Sequence, residues 1–481
     1  MKKEMNRREF LKDVALLAAA TGTVAGMAPF LGCGKSFTDN PDLPNIILIT
    51  ADDLGWKDLS CYGNRDINTP NIDRLALEGV RFTNAFVVAP SCSPSRASLI
   101  TGQYPHTNGV TALTHRYMTK QLSPFHTTMP ELLKKAGYNT ALQGKWHVAP
   151  YMPVSWFGYQ EHLSGMLPKT WHINDAIKPV EFIRNNSNNR FYLELNFQQN
   201  HRDDYGEFAF DPDFPVDPEK ISVPDYYTLP DWLEIRKDLA KYYSQTLKMD
   251  KIIGDILTAL DQVELAENTM VIFVSDNGPP YPGNKMTLYD RGTGTPLMVR
   301  WPRRLKAGTT VRHLVNSIDI MPTVLEAASV SVPEDVQGTS FLSMMTDRDS
   351  EPTHKAVFTE MTYHVHYLPT RAVRTEQYKY IKNYSDIAIG LDQLNHKEWA
   401  HTLCEKPNQP WKRPRPEEEL YDLKKDPHEQ KNLAENPKYT PVLDKMRSLL
   451  KEHQQQTKDP YLGKSFTHDY DAAMYAPKTN E

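Results

Sequence analysis

A cysteine with a serine, a proline and an arginine close behind it is where this chain concentrates its chemistry. It lies in Ser91-Cys92-Ser93-Pro94-Ser95-Arg96, which continues through Ala97-Ser98-Leu99-Ile100-Thr101 to Gly102. The pattern predicts a helix start, with Ser93 suited to the N-cap, Pro94 to the first helical position and Gly102 to the exit. Cys92 would then stand just before a helix N-terminus, where unpaired N–H groups and the helix dipole favour an anion. Arg96, one turn on, adds a planar cation that can grip an oxyanion with two donors. A thiol in that setting should have a lowered pKa and be reactive. The same residues also fit a buried structural cysteine beside a capped helix, so the local sequence leaves both readings open.

Oxygen ligands end two apolar runs. Asn45-Ile46-Ile47-Leu48-Ile49-Thr50 leads to Asp52-Asp53, and Met270-Val271-Ile272-Phe273-Val274-Ser275 leads to Asp276-Asn277-Gly278. Such runs read as strands buried on both faces of a parallel sheet, where ligands sit beyond the carboxyl ends. One Asp-Asp pair alone is commonly a turn, but two strands ending this way favour a metal site. Asp52, Asp53, Asp276 and Asn277 form an all-oxygen set, which suits calcium or magnesium and not zinc. Basic residues follow other strands: Lys145 and His147 come after 138–143, and His201-Arg202 come after 191–197. Taken singly, these are as readily solvated surface.

The supporting elements read as alternating α and β. Helices are expected over 71–78, closed by Gly79, over 129–137, over 235–260 as a structural helix, and up to Ala328. Residues 151–172 read as a long loop that could shape a pocket. Beyond about 368, short strands at 371–375, 378–382 and 418–423 and a helix at 437–454 suggest a small α+β domain. The fold class is therefore α/β, with a mostly parallel sheet flanked by helices and a smaller C-terminal α+β domain.

Cys92-Ser93-Pro94-Ser95-Arg96 and its tail resemble the signature of the type I sulfatases. In that family the cysteine of Cys-x-Pro-Ser-Arg is oxidised after translation to formylglycine, whose hydrated aldehyde is the nucleophile. Gly144-Lys145-Trp146-His147 is similar to a second motif of the family, residue for residue. The resemblance implies an alkaline-phosphatase/sulfatase-like fold and one calcium ion held by Asp52, Asp53, Asp276 and Asn277, with residue 92 beside it. It makes Arg96, Lys145 and Lys285 sulfate-binding cations. His147 would take a proton from the nucleophile, and His201 would serve the leaving group. One departure is Gln198-Gln199-Asn200, where the family commonly has proline just before this histidine.

Within the family the resemblance is nearest to the heparan N-sulfatase branch. Asn108-Gly109-Val110, Glu419-Leu420-Tyr421-Asp422, Asp426-Pro427-His428-Glu429 and Thr457-Lys458-Asp459-Pro460 carry it, while Lys285 departs from the arginine of that branch. It implies removal of N-linked sulfate from glucosamine in heparin or heparan sulfate fragments. Groups that choose the sugar would lie outside the shared motifs. Glu360, His364 and His366 are the candidates, in a segment that otherwise reads as an ordinary surface loop. The alternatives are an O-sulfatase (for example 6-O) on glycosaminoglycan sugars, a phosphodiesterase of the same superfamily, or an inactive glycan-binding relative. The absence of an Asp-x-x-x-His ligand set near Asp276 argues against the second, and intact Cys92, Arg96, Lys145 and His147 against the third.

Composition narrows the setting. The 481 residues, 40% hydrophobic, can bury a large core, and a net charge of −5 gives no footprint for nucleic acid. Cysteines at 33, 61, 92 and 404 do not form a disulfide scaffold. Asn6-Arg7-Arg8-Glu9-Phe10-Leu11-Lys12 and the apolar run from Val14 to Leu31 resemble a twin-arginine export signal, favoured over a membrane anchor by its Gly, Thr and Ala content. Phe30-Leu31-Gly32-Cys33 resembles a lipoprotein box, which offers Cys33 as a lipid anchor. The expected organisation is a signal at 1–33, a linker at 34–43, a catalytic domain at 44–367 and a C-terminal domain at 368–481. The expected setting is the periplasm or the cell envelope. Expected partners are a sulfated glycosaminoglycan oligosaccharide, a formylglycine-generating maturation enzyme and a second copy of the chain in a homodimer.

Overall fold

Strand β1, Asn45–Ala51, is buried along its whole length, and its side chains divide cleanly between two apolar layers. Ile47, Ile49 and Ala51 join one layer, while Ile46 and Leu48 join the other. This is the period-two alternation of a strand with both faces covered, so a continuous apolar run is what the position demands. Strand β7 (Thr269–Ser275) divides the same way, with Val271 and Phe273 on one side and Met270, Ile272 and Val274 on the other.

The computed structural model describes residues 42–114, 120–164, 172–347, 350–364, 367–387, 394, 397–405 and 414–467. The expected export signal, Cys33 and most of the linker lie outside them, as does His366. No described helix is long and apolar enough to cross a membrane.

Among the described residues the central sheet also contains β2 (Val80–Phe82), β4 (Asn139–Gly144), β5 (Glu161–His162), β6 (Phe191–Asn196), β8 (Leu297–Arg300) and β9 (Thr309–Val311), while β3 (Ala85–Phe86) pairs with β10 (Val315–Asn316) apart from it. Its order is β5-β4-β6-β1-β7-β8-β2-β9. Pairing is parallel from β5 to β7, β8 runs antiparallel to both its neighbours, and β2 and β9 are parallel. The mostly parallel sheet expected from sequence is therefore present. Helices α1 (Pro70–Leu77), α4 (Ile177–Asn185) and α5 (Leu233–Gln262) cover one face, through residues such as Ile72, Phe182, Leu239 and Ile256. Helices α2 (Cys92–Thr101), α3 (Met129–Lys135) and α6 (Ile320–Ala327) cover the other, through Leu99, Leu133 and Val324. Each such aliphatic side chain contributes roughly 1.5–3 kcal/mol by leaving water.

Register fixes which residues meet at the carboxyl edge. Ala51 pairs with Ser275, and Asp276 N–H donates to the Ala51 carbonyl at 3.0 Å, so the acids that follow β1 and β7 emerge side by side. Gly144 pairs with Asn196 at φ 93°, and a Cβ there would lie 2.1 Å from the Asn196 carbonyl oxygen. Only glycine lets β4 approach β6 so closely before the chain turns to Lys145.

An antiparallel sheet, β11 (Val357–Tyr363), β12 (Tyr367–Arg374), β13 (Tyr378–Asn383) and β14 (Glu418–Asp422), forms the C-terminal part. Helix α7 (Thr440–Thr457) packs on one face through Leu443, Met446 and Leu450 against Val373, Tyr380 and Leu420. The sheet opens at Val357, ahead of residue 368 where the sequence suggested a boundary. The segment read as a surface loop is strand β11, and Glu360 in it is buried. Its charge interrupts the apolar pattern, and what allows its burial comes from elsewhere: the His106 ring, paired with it, and the Arg371 guanidinium at 3.9 Å. Within 151–164, the first part of the expected loop, β5 joins the sheet edge.

Candidate active site

Helix α2 begins two residues earlier than its sequence suggests. Ser91 is the N-cap, Cys92 is the first helical residue and Pro94 is the third. Proline is tolerated there because N–H groups of the first turn have no intrahelical acceptor. Ser93 does not cap; its Oγ accepts from Thr114 N–H at 3.1 Å. The Ser91 hydroxyl bonds His364 Nδ1 at 2.8 Å, and Gly102 closes the helix at φ 64°.

Cys92 Sγ projects into a cluster of charge beyond β1 and β7. It lies 3.4 Å from Asp52 Oδ1, 3.8 Å from Asn277 Oδ1 and 3.5 Å from Lys285 Nζ. One ligand atom each of Asp52, Asp53 and Asp276 fall within 4.8 Å of one another, and so do those of Asp52, Cys92 and His201. Asn277 Nδ2 donates to Asp53 Oδ1 at 2.7 Å. Each carboxylate has its own cation: Lys145 Nζ is 2.5 Å from Asp52, Lys285 Nζ 2.7 Å from Asp53, and Arg96 Nε 2.7 Å from Asp276. Arg96 Nη2 also lies 4.0 Å from Asp52 Oδ1, and both terminal nitrogens are buried without a hydrogen-bond partner.

The electrostatics correct one expectation. Burial first, and then the Asp52 carboxylate, raise the Cys92 thiol against the pull of Lys145 and Lys285. The helix N-terminus does not lower it, because that terminus is sealed from water and faces carboxylates. Burial would raise Asp52 too, but Lys145, His201, Arg96 and Lys285 together hold it well below the usual carboxylate range. Asp276 goes the other way, pushed up to about 7 by burial and by Asp52 and Asp53, against Arg96 and Lys145. Burial and the two lysines bring His201 down to about 4, so its ring rests neutral. Burial opposes the charge on Lys145, Lys285 and Arg96, yet Asp52, Asp53 and Asp276 respectively keep them protonated.

Of the residues singled out from sequence, Asp52, Asp53, Cys92, Arg96, Lys145, His201, Asp276, Asn277 and Lys285 meet in this cluster. His147 is buried two residues beyond Lys145, its carbonyl accepting from Thr114 Oγ1, whose own backbone N–H is tied to Ser93. Glu360 does not open onto it as a substrate group; it is committed to His106 and Arg371. His364 reaches the site's edge through Ser91. Sequence reasoning passed over Ser275 and Tyr242. Ser275 Oγ accepts from Leu54 N–H at 3.0 Å and donates to the Asn277 carbonyl at 2.9 Å, locking the two acidic turns together. The hydroxyl that ends an otherwise apolar strand was the available signal. Tyr242 gave none, lying in a helix whose pattern speaks only of packing.

Buried carboxylates opposed by cations, with Cys92 among them, are the chemistry that a divalent cation and an oxyanion call for. Comparison with known proteins identifies the group in which such a cluster occurs. Residues 44–330 match the family model described as Sulfatase, and residues 283–397 the one described as N-sulphoglucosamine sulphohydrolase, C-terminal. The chain is 32% identical over 413 residues to an ulvan-active sulfatase of Formosa agariphila, covering 84% of this chain and 78% of that protein. It is 30% identical over 470 residues to N-sulphoglucosamine sulphohydrolase of Homo sapiens, covering 87% and 91%. It is 26% identical over 536 residues to an N-acetylglucosamine-6-O-sulfatase of Bacteroides thetaiotaomicron, covering 89% of each. A structure solved in complex with D-glucosamine-2-N,6-O-disulfate shares the fold, with a TM-score of 0.67 at 23% identity over 87% of this chain and 99% of that one. Since the matched region, residues 44–330, holds every member of the charged cluster, the chain belongs to the sulfatase family.

Proposed function

We propose that this protein is an exported sulfatase that hydrolyses N-linked sulfate from glucosamine in heparin or heparan sulfate fragments, using a formylglycine made from Cys92 and one calcium ion. The observation that carries it is the meeting of Cys92 with three buried carboxylates and their three cations. The N-sulfate reading draws its support from the match of residues 283–397 and from 30% identity to a human enzyme of that name over most of both chains.

The residues fit a hard cation. Asp52, Asp53, Asp276 and Asn277 offer only oxygen, the donor type a hard cation takes. Calcium held there would screen sulfate oxygens. Formylglycine at position 92 would supply a geminal diol, one hydroxyl to attack sulfur and a second whose deprotonation regenerates the aldehyde. Arg96, anchored by Nε on Asp276, presents its two free nitrogens to sulfate oxygens. Lys145 and Lys285 bring further positive charge to the developing anion. His147 accepts the proton of the second hydroxyl, and His201 gives one to the leaving nitrogen or oxygen. Burial first and then Lys145 and Lys285 lower His201, and the negative sulfate beside it would counter the lysine part of that shift and favour the protonated ring.

A 6-O-sulfatase is the second reading, favoured by the 26% identity to an N-acetylglucosamine-6-O-sulfatase across 89% of both chains. Export through the twin-arginine-like N-terminus, maturation by a formylglycine-generating enzyme, a lipid anchor at Cys33 and a homodimer belong to the same proposal. Free-sulfate release from glucosamine-N-sulfate and from N-acetylglucosamine-6-sulfate separates the two specificities. Faster turnover of the N-sulfated sugar is expected, and a clear preference for the 6-O-sulfated sugar would replace the first reading by the second.

A further inference from the structure

The departure at Gln198-Gln199-Asn200 has its counterpart on helix α5. Asn200 is 1% exposed, and its Nδ2 donates to the Tyr242 backbone carbonyl at 3.1 Å and to Thr246 Oγ1 at 2.8 Å. The next residue in the chain is His201. The same helical turn reaches the Asp53–Gly55 turn through the Tyr242 side chain. Its hydroxyl accepts from Gly55 N–H at 3.0 Å, and lies 3.1 Å from the Asp53 carbonyl oxygen and 2.8 Å from Asp58 Oδ2.

These contacts fall where the chain needs holding. Asp53 has φ 59°, in the left-handed region, which a residue with a Cβ keeps only when its surroundings enforce it. Asp58 is fixed in turn by the hydroxyls of Tyr226 and Tyr227. Gly55 is packed so tightly that a Cβ would lie 2.3 Å from Asp58 Oδ2 and 2.8 Å from Tyr226 Oη. Just before His201, Asn200 holds by hydrogen bonds a loop that proline would stiffen by fixing φ. Helix α5 is 30 residues long and packed along the sheet through Ile235, Leu239, Ile252 and Ile256, so it is a firm reference for both segments.

We infer that the Tyr242–Thr246 turn of α5 is a positioning element, with Tyr242 setting Asp53 toward the cation and Asn200, held by that turn, setting His201 toward the leaving group. The inference rests on the roles proposed above for Asp53 and His201. It makes one helix, rather than two independent loops, set the span between cation and proton donor.

Leaving-group dependence separates positioning from mere packing. An aryl oxide departs without a proton, whereas a sugar nitrogen or hydroxyl needs one. Asn200→Ala is expected to lower kcat on a sulfated glucosamine by about 10–100-fold, with a much smaller fall on 4-nitrophenyl sulfate, while calcium affinity by titration calorimetry stays at the wild-type value. Thr246→Val, which keeps the side-chain shape, should shift both substrates in the same sense by less. Tyr242→Phe should instead weaken calcium binding by about tenfold or more and lower both substrates together. Equal losses on the two substrates in Asn200→Ala, or wild-type calcium affinity in Tyr242→Phe, would overturn the inference. His201→Ala distinguishes the levels. If it shows the leaving-group bias and Asn200→Ala does not, the inference falls alone; if it shows no bias, the role of His201 falls and takes the inference with it.

Discussion

Replacing Lys285 by methionine removes a buried cation while keeping much of the side chain's length. Its Nζ lies 2.7 and 2.9 Å from the two oxygens of Asp53 and 3.5 Å from Cys92 Sγ, and the two side chains are 6% and 0% exposed. Breaking a buried pair on one side leaves an uncompensated charge, at a cost of roughly 3–5 kcal/mol. At about 2 °C per kcal/mol for a large chain, Lys285→Met should melt roughly 5–10 °C below wild type in the presence of chelator. Calcium at the proposed site would change the balance, because in the wild type it would compete with Lys285 for Asp53 and in the variant it would not. At saturating ion both proteins gain stability, and each tenfold by which the variant binds more tightly closes the gap by about 1.4 kcal/mol, so a tenfold tighter site should narrow the melting gap by roughly a third to a half when calcium replaces chelator. Activity should still fall by about 10²-fold or more, since a cation facing the developing charge is gone. Differential scanning calorimetry with and without calcium reads the first two quantities, and sulfate release reads the third. Identical melting in chelator, or a gap that calcium leaves unchanged, would refute the account of this pair.

Other expectations follow from the same cluster and one beside it. Peptide mass spectrometry of active protein should find an aldehyde at position 92, and Cys92→Ser should accept sulfate once and retain it, seen as a sulfated peptide without turnover. Asp276→Ala should abolish activity and calcium binding in metal analysis; stoichiometric zinc in active protein would count against the oxygen-ligand assignment. The buried cluster of His106, Glu360, Arg371 and Asp459 should be pH-sensitive. Burial lowers the His106 pKa, but Glu360 outweighs it and holds the folded value above the ordinary one. A raised histidine contributes stability that is full below its unfolded pKa and lost as pH climbs through the folded one. The melting difference between wild type and His106→Gln should therefore be largest in mild acid and shrink above neutrality.

Local sequence was enough wherever one stretch of chain answers to one physical demand. The runs that became β1 and β7 had to be apolar throughout because both faces of the sheet are covered, so their extent was legible and so were the acids at their ends. Gly102 and the proline near the start bounded α2 within a residue or two, since caps are local chemistry. The Cys-x-Pro-Ser-Arg and Gly-Lys-Trp-His motifs likewise named the charged residues that now stand together.

Tertiary structure decided whatever depends on partners distant in the chain. That Ala51 pairs with Ser275 and brings Asp52 beside Asp276 is a matter of register. That Cys92 has a raised pKa, against what its helix terminus alone suggests, follows from the loss of water and from carboxylates delivered by β1 and β7. Glu360 could enter a strand only because His106 and Arg371 arrive to meet its charge. Tyr242 looked like packing because a helix's apolar period records which face is buried and nothing of what a buried hydroxyl will touch. Local pattern determines which groups leave water; the free energy of a buried charge or hydroxyl depends on the partners that the fold brings within about 3 Å.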